Sequence, residues 1–487
     1  MAWTRPQLIS LLVLLGVASY THLKNLGDAY LWEDEAQTAL VARTVLSRGT
    51  PYGTDGRNFF SAELGAEYGK DHLWQWHMWL PFYAVAGTYA VLGESTFSSR
   101  LPFALAGIIS VLLVFFFLHE QGALGPALVS SLVLSLYVPF LILNRQCRYY
   151  SFLTLFTVAA LYFYQRWCRE RKRIQAILLG IALSLLFHTH YLHCAAVAAP
   201  ILLDWVVWDR KSGRQVLWAL GIFAILCVPW VPFILGIRYG SAYGGQMGWV
   251  HFWEEWTGYF RYVRRYIVPW PLFLGLICAM GGGAYRRESA LLVGVGMLTL
   301  LGLSITSPAP FFRYLAPEMA LAAILLGLVL NGVFGKGRWA LSCLVVVLVL
   351  SRADTRGFWG EIHNDYRGPV RAIVELLRRE AKTTDRVVIT YDDLPVKFYT
   401  PLRVFGGLTG EDLSKARGAE WVIPRHTTVC DKDQKVKDFI NANFDLSRYE
   451  KITLPATDTM TENREEPALH LFRSPEGEPR VVVYRKR

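Results

Sequence analysis

LPFALAGIISVLLVFFFL, residues 101–118, holds no charged side chain over a length that reaches across a hydrocarbon core. A spanning helix needs roughly 20 apolar residues, within a range of about 17–25. Comparable runs stand near 7–23, 123–143, 150–166, 174–190, 191–208, 216–237, 267–284, 289–306, 314–331 and 338–351. The 487-residue chain is 53% hydrophobic and only 18% charged, against about a quarter charged in soluble proteins. That deficit lies in residues 1–350; residues 351–487 have the composition of a soluble domain.

The net charge of +11 does not point to nucleic acid, because the basic residues of the first part cluster in short connections between apolar runs. Such clusters mark cytoplasmic loops. Another apolar run, Leu73–Leu92, decides the parity. With Arg5 inside and 73–92 not crossing, four clusters share the cytoplasmic side: Arg166/Arg169/Arg171/Lys172/Arg173, Asp209/Arg210/Lys211/Arg214, Arg286/Arg287 and Lys336/Arg338. A crossing at 73–92 would put all four outside. The run is therefore read as a helix in the outer interface, where Trp74, Trp76, Trp79, Tyr83 and Tyr89 suit the headgroup level. The result is a mainly α, multi-pass plasma (inner) membrane protein. It has about 11 transmembrane helices, a cytoplasmic N-terminus and an extracytoplasmic C-terminal domain. Segment 7–23 alternatively reads as a cleaved signal peptide, which leaves the side of residue 34 unchanged.

Two regions follow: a membrane domain over 1–351, with a first outer loop 24–100, and a small α/β domain over 352–487. In the latter, 369–382 has helical spacing with proline in the first turn. Arg386–Tyr391, Val396–Tyr399, Trp421–Ile423 and Val481–Tyr484 read as strands, and Asp433–Asn443 as a helix. No nucleophile motif or glycine-rich phosphate loop occurs there, which suits a lid or docking role. The seven cysteines show no metal-ligand spacing.

Trp32-Glu33-Asp34-Glu35-Ala36-Gln37 follows the first crossing, and Ala39–Ser47 behind it is helical, ending at Arg48-Gly49. Acids at a helix start are favoured by capping and the macrodipole. They equally suit a general base that deprotonates a hydroxyl. Cations that could hold a leaving phosphate share the outer face: Lys70, Arg145, Arg148, Arg264, Arg265 and Arg313. Snorkelling to headgroups is their other reading. His188, His190 and His193 form an outer turn whose residue types would suit zinc, but no carboxylate is adjacent and the spacing is not that of a zinc protease. They read equally as an aromatic-polar turn or a cavity wall.

Asp34-Glu35-Ala36, then Lys70-Asp71-His72-Leu73-Trp74-Gln75-Trp76, then Ser99-Arg100-Leu101-Pro102-Phe103-Ala104-Leu105-Ala106-Gly107 resemble the membrane GT-C glycosyltransferases. These include the protein O-mannosyltransferases, the lipid A aminoarabinose transferases and the bacterial lipopolysaccharide-core transferases. Arg313-Tyr314-Leu315-Ala316-Pro317 is similar to a late Arg-Tyr-Leu-x-Pro stretch of that family. Asp365-Tyr366-Arg367-Gly368 and Asp392-Asp393-Leu394-Pro395 look like its bacterial outer domain.

The resemblance implies an inverting transferase at the outer membrane face. It would move a sugar from a polyprenyl-phosphate donor to a hydroxyl of a lipid, a lipid-linked glycan or a protein. It places catalysis at Asp34 with Glu35 beside it, and Lys70 matches a lysine that contacts the donor phosphate in some members; Arg145, Arg148 and Arg313, at helix–water boundaries where a lipid phosphate would also lie, are expected to bind it with Lys70. Asp71, His72, His190, Tyr191 and Tyr314 are then expected in the substrate cavity. No cofactor is implied with certainty; members differ in using a divalent metal, and no metal ligands are assigned here. Two departures stand out. Asp71-His72 replaces a frequent Pro-Pro, and Arg145-Gln146-Cys147-Arg148-Tyr149-Tyr150 lacks the second acid of many relatives, for which Asp71, Glu254 and Glu255 are candidates. The rival readings are a transporter or flippase of lipid-linked saccharide, and a membrane scaffold that binds through its tail.

Overall fold

The computed structural model describes residues 4–208, 213–236, 248–267, 285–333, 336–426, 430–459, 466–470 and 479–487. The expected span 267–284 lies almost wholly outside them, as do much of the 209–214 connection and the start of the outer loop at Arg238.

The chain forms two compact units, both discontinuous in sequence. One gathers Met1–Lys24, Phe103–Gly236 and the described part of Tyr243–Arg356; the other gathers Asn25–Pro102 and Gly357–Arg487. The first outer loop thus belongs with the tail, not with the apolar helices that flank it in sequence.

In the first unit the apolar runs are helical. Among the described residues, six helices are long and apolar enough to cross a membrane by length and composition: Arg5–Leu23, Thr96–His119 (which starts in the second unit), Tyr191–Trp208, Gln215–Leu235, Arg286–Thr306 and Phe312–Gly332. A bent pair, Leu124–Leu136 and Val138–Asn144, makes a seventh if counted as one span. The described residues thus account for six or seven of the about eleven expected spans, and they leave out 268–284. The run 123–143 is not one rod, because its two helices meet at 65°. Tyr137 is extended there, with φ −80° and ψ 108°, and Pro139 opens the second helix. Proline has no N–H to donate to the preceding turn. Arg173–Phe187 and Lys336–Leu350 have only 15 residues each, about 22 Å of helix, short of a ~30 Å core.

The run 73–92 also changes character along its length. Leu73 and Trp74 form antiparallel bridges to Tyr52 and Tyr68, and only Leu80–Leu92 is helical. Its 13 residues span about 20 Å, too short for a crossing.

The second unit contains a five-stranded sheet in the order β2-β1-β3-β5-β4. The strands are β1 (Arg386–Ile389), β2 (Arg403–Phe405), β3 (Trp421–Ile423), β4 (Tyr449–Thr457) and β5 (Arg480–Lys486). β1 lies parallel to β2 and β3, while β5 runs antiparallel to β3 and β4. Val388, Phe405, Val422, Val436, Ile440 and Phe444 join in one apolar core. The helix Pro369–Glu380 buries Val370, Ile373, Val374, Leu376 and Leu377, the one-sided stripe its spacing requires.

One sequence expectation fails here. Val396–Tyr399 is not a strand but the end of the helix Asp393–Tyr399. Pro395 sits in its first turn, where a missing N–H costs nothing, and the Asp393–Lys397 ion pair closes one turn at 2.6 Å. Asp392 enters it in the left-handed region at φ 67°. β2 and β4 carried no clear sequence signal, being short or alternating in a charged setting.

Candidate active site

The helix Glu33–Arg48 starts after an extended Trp32 and stops at Gly49, whose φ of 80° suits a residue without Cβ. Its first turn holds three acids in different surroundings. Glu35 is fully buried and accepts the Arg100 fork, Nε to Oε1 at 2.8 Å and Nη2 to Oε2 at 2.7 Å. The rest of that guanidinium donates to the carbonyls of Leu26, Ala29 and Tyr30, at 3.0, 2.7 and 3.3 Å. One bidentate, charge-assisted pair thereby fixes the entry to the helix.

Glu33 is buried as well. Its Oε2 accepts from the Leu394 N–H at 3.3 Å, and its Oε1 has no partner among the described residues. Burial, with the charges of Asp393 and Asp392 beside it, pushes the Glu33 carboxyl well above the usual range. Asp34, between the two, is the one acid of the three that reaches solvent. Its carbonyl accepts from Thr38 Oγ1 at 3.2 Å. Gln37, the last residue of the motif, donates to the Phe60 carbonyl at 3.1 Å and to Glu67 Oε1 at 3.0 Å. Glu67 also accepts from the Ala62 and Glu63 N–H groups and bonds Ser61 Oγ. This ties the loop 61–67 to the acid-bearing helix.

Lys70 and Asp71 are exposed, on a turn of the same unit. Asp71 Oδ1 accepts from the Leu73 N–H at 3.1 Å, and His72 N–H donates to the Gly69 carbonyl at 2.9 Å. His72 takes φ 63°, a left-handed conformation costing roughly 1–2 kcal/mol for a residue with Cβ. Its ring packs edge-on to Phe59 and Tyr68, with centroids 5.3 and 5.5 Å away. The histidine is a wall that holds the turn, while Lys70 projects from it.

The remaining candidates lie in the other unit. Arg145 Nη1 donates to the carbonyls of Thr21, His22 and Lys24 at 2.9, 3.1 and 3.0 Å. It thus caps the C-terminal end of the first helix, a use of cations that the helix dipole favours. Arg148 is buried with its guanidinium 5.7 Å from the Tyr149 ring centre. Arg313 lies 4.4 Å from the Phe311 ring centre and 5.6 Å from that of Tyr314. Arg148 and Arg313 thus stand on two tyrosines, Tyr149 and Tyr314, that both lie near His190. His190 lies 5.8 Å from the Tyr149 ring and 6.3 Å from that of Tyr191. With Tyr314, His193 and Thr299 it lines a cavity of about 40 Å³. Among the described residues no group of three or more His, Cys, Asp or Glu is placed to hold a metal ion. Of the candidates for a second acid, Asp71 and Glu254 are exposed. Glu255 is buried with Oε2 unpartnered among the described residues, and burial raises its carboxyl.

The structure therefore separates the expected residues by surroundings. Arg145 and Glu35 are consumed by structural bonds; Asp34 and Lys70 reach solvent; Arg148 and Arg313 share an aromatic site. The roles of Arg100, Glu33 and Glu67 escaped the sequence reading. Arg100 alone left a signal, as a lone cation at the mouth of an apolar run.

A sequence family described as dolichyl-phosphate-mannose-protein mannosyltransferase matches residues 77–233. An undecaprenyl phosphate-α-4-amino-4-deoxy-L-arabinose arabinosyl transferase of Pseudomonas fluorescens is 23% identical over 359 residues, 65% of this chain. The chain spans 58% of that relative's length. Among solved structures, ArnT from Cupriavidus metallidurans bound to undecaprenyl phosphate superposes with a TM-score of 0.63 at 14% identity, covering 99% of this chain and 98% of that one. The archaeal oligosaccharyltransferase AglB of Archaeoglobus fulgidus, in complex with an inhibitory peptide and a dolichol-phosphate, gives 0.55 at 10% identity, over 94% and 74%.

Proposed function

On the premise that the chain has the GT-C fold, and that these matches together indicate the GT-C glycosyltransferase superfamily, we propose that it is an inverting, polyprenyl-phosphate-dependent glycosyltransferase. The acceptor is a hydroxyl of a lipid, a lipid-linked glycan or a protein. The work is done at the outer face of the inner membrane, with the N-terminus in the cytoplasm and the 352–487 region outside. A polyprenyl phosphate is the lipid bound in the ArnT structure, and that donor class is carried over here.

The observation behind this reading is the sorting of three adjacent acids, two buried and one open to solvent. Asp34 is the general base. It takes the proton of the acceptor hydroxyl as that oxygen attacks the anomeric carbon, and the bond to the lipid phosphate breaks on the opposite side. The phosphate leaves with both electrons of that bond, so it must be met by positive charge. Lys70, in the same unit as Asp34, supplies it. Glu35 is a positioning residue, acting through Arg100 on the backbone that presents Asp34.

The test is Asp34→Asn in purified protein reconstituted with a polyprenyl-phosphate sugar and membrane-extract acceptors. Transfer is lost while Tm and detergent elution are unchanged. Lipid movement across proteoliposomes without sugar transfer by the parent protein would instead identify a flippase.

A further inference from the structure

A second polar site lies in the unit that contains residues 25–102 and 357–487. A cavity of about 340 Å³ opens between Tyr30, Arg43, Glu94, Arg378, Phe398 and Tyr399. Small-molecule sites begin near this size, ~300 Å³. Three features describe its occupant.

The first is charge. Arg43 is neutralised, its Nη2 lying 2.8 Å from Glu94 Oε2. Arg378 donates from Nε to the Tyr399 carbonyl at 2.8 Å and forms no ion pair among the described residues. The lining therefore carries one uncompensated positive charge. The second is shape chemistry. Tyr30 and Tyr399 stack with centroids 4.1 Å apart, and the Arg43 guanidinium lies 5.0 Å from the Phe398 centroid. Aromatic faces are electron-rich and attract the weakly positive C–H face of a sugar ring. Arg43 spends Nε and Nη2 on Glu94 Oε2 and the Phe398 carbonyl, which leaves its Nη1 as donor and Glu94 Oε1 as acceptor for ring hydroxyls. The third is rigidity. The Tyr399 hydroxyl lies 2.7 Å from Thr96 Oγ1 and accepts from the Leu31 N–H at 3.0 Å. The Tyr30 carbonyl is held by Arg100. The walls are thus set before any ligand arrives, which lowers the ordering cost of binding.

We infer that this cavity binds an anionic saccharide, its carboxylate or phosphate on Arg378 and its ring hydroxyls on the Arg43–Glu94 pair. That the occupant is a part of the acceptor glycan remote from the transferred sugar rests on the transferase reading above; binding itself does not. Tyr30 would then couple acceptor binding to the segment that leads into Asp34.

The experiment measures binding to detergent-purified full-length protein by ligand-observed NMR. The probes are glucuronic acid and glucose 6-phosphate, with glucose and inorganic phosphate as controls. Binding of either charged sugar roughly tenfold tighter than both controls is expected, and whichever binds identifies the anion. Arg378→Gln should lower that probe to the level of glucose. Arg378 is exposed and the change costs one backbone hydrogen bond, so an unchanged Tm serves as the folding control. Tyr30→Ala should weaken the sugar probes as a second, independent variant. Equal binding of glucose, binding of inorganic phosphate as tight as the sugar phosphate, no binding at all, or indifference to Arg378→Gln each overturns the inference. Transfer activity without saccharide binding removes this site alone. Saccharide binding without any transfer by the parent protein removes the transferase reading alone. Asp34→Asn should lose transfer and keep probe binding.

Discussion

The first turn of the helix Glu33–Arg48 carries the proposed base and the turn at Lys70–His72 the proposed phosphate-binding cation, and they are built on opposite plans. The acid turn is held from below by a buried fork on Glu35 and by the Leu394 N–H on Glu33, while the half-buried Asp34 between them reaches solvent. The lysine turn is held by local bonds from Asp71 and Gly69 and by ring packing of His72, with its two charged side chains in water. A base must stand at one distance and angle from the hydroxyl it deprotonates, so rigidity serves it. A cation that meets a mobile lipid phosphate acts as a point charge on a flexible stem, and looseness costs it little.

The largest expected effect breaks the comparison at its functional point. Asp34→Asn should lower the turnover of sugar transfer by about 10²–10⁴-fold, the usual worth of a positioned base, with no change in Tm. Near-normal turnover would remove Asp34 from the mechanism. Next comes the support beneath it. Arg100→Ala strands Glu35 as a buried unpaired charge, and breaking such a pair costs about 3–5 kcal/mol. A fall in Tm with loss of expression is expected, and a thermal melt indistinguishable from the parent would show the acid turn to be held otherwise. Lys70→Ala is milder and purely functional. Losing one charge-assisted contact worth roughly 1.5–3 kcal/mol should raise KM for the donor and leave Tm alone, and the gap from the parent should narrow with added salt.

The smallest effect concerns Glu33. Its folded-state carboxyl lies above the usual range, through burial and the facing charges of Asp393 and Asp392, with Asp433 adding and Lys397 opposing. The folded protein therefore keeps a proton that the unfolded chain releases as pH rises above the ordinary carboxylate range. Stability falls with pH across that window. Glu33→Gln removes the dependence: Tm should match the parent in acid and exceed it toward neutral pH. A variant less stable than the parent at neutral pH would mean that Glu33 is ionised and paired.

Much of this was legible before the fold. Asp34 stood out because a run of acids at a helix start is a local pattern. The bounds of its helix followed from Arg48-Gly49, since left-handed glycine is a local requirement too. What divides Asp34 from Glu33 and Glu35 was not legible, because their partners are Leu394 and Arg100, at sequence separations of 361 and 65. Arg145 was ambiguous for the same reason: a helix-end carbonyl and a lipid phosphate ask for the same side chain, and its Nη1 meets the carbonyls of Thr21, His22 and Lys24. The apolar runs located the helices well but not their continuity. Hydropathy sums composition, and Pro139 breaks a run without lowering the sum. Val396–Tyr399 shows the reverse case, four strand-like residues recruited into a short helix by Pro395 and the Asp393–Lys397 pair.

The partnership between the first loop and the tail also sets a timetable for synthesis. Asn25 donates to carbonyls of Glu361 and Asn364, and the Leu31 N–H to the Tyr399 hydroxyl, across 336 to 368 residues. At about 5–20 residues per second, the ribosome needs roughly 17 to 74 seconds to deliver the second half of those bonds after the first. Throughout that interval the nascent loop is out of the ribosome with its polar groups unmatched. A chain that stops before residue 357 never matches them, so premature termination anywhere upstream should leave a recognisable substrate for quality-control proteases.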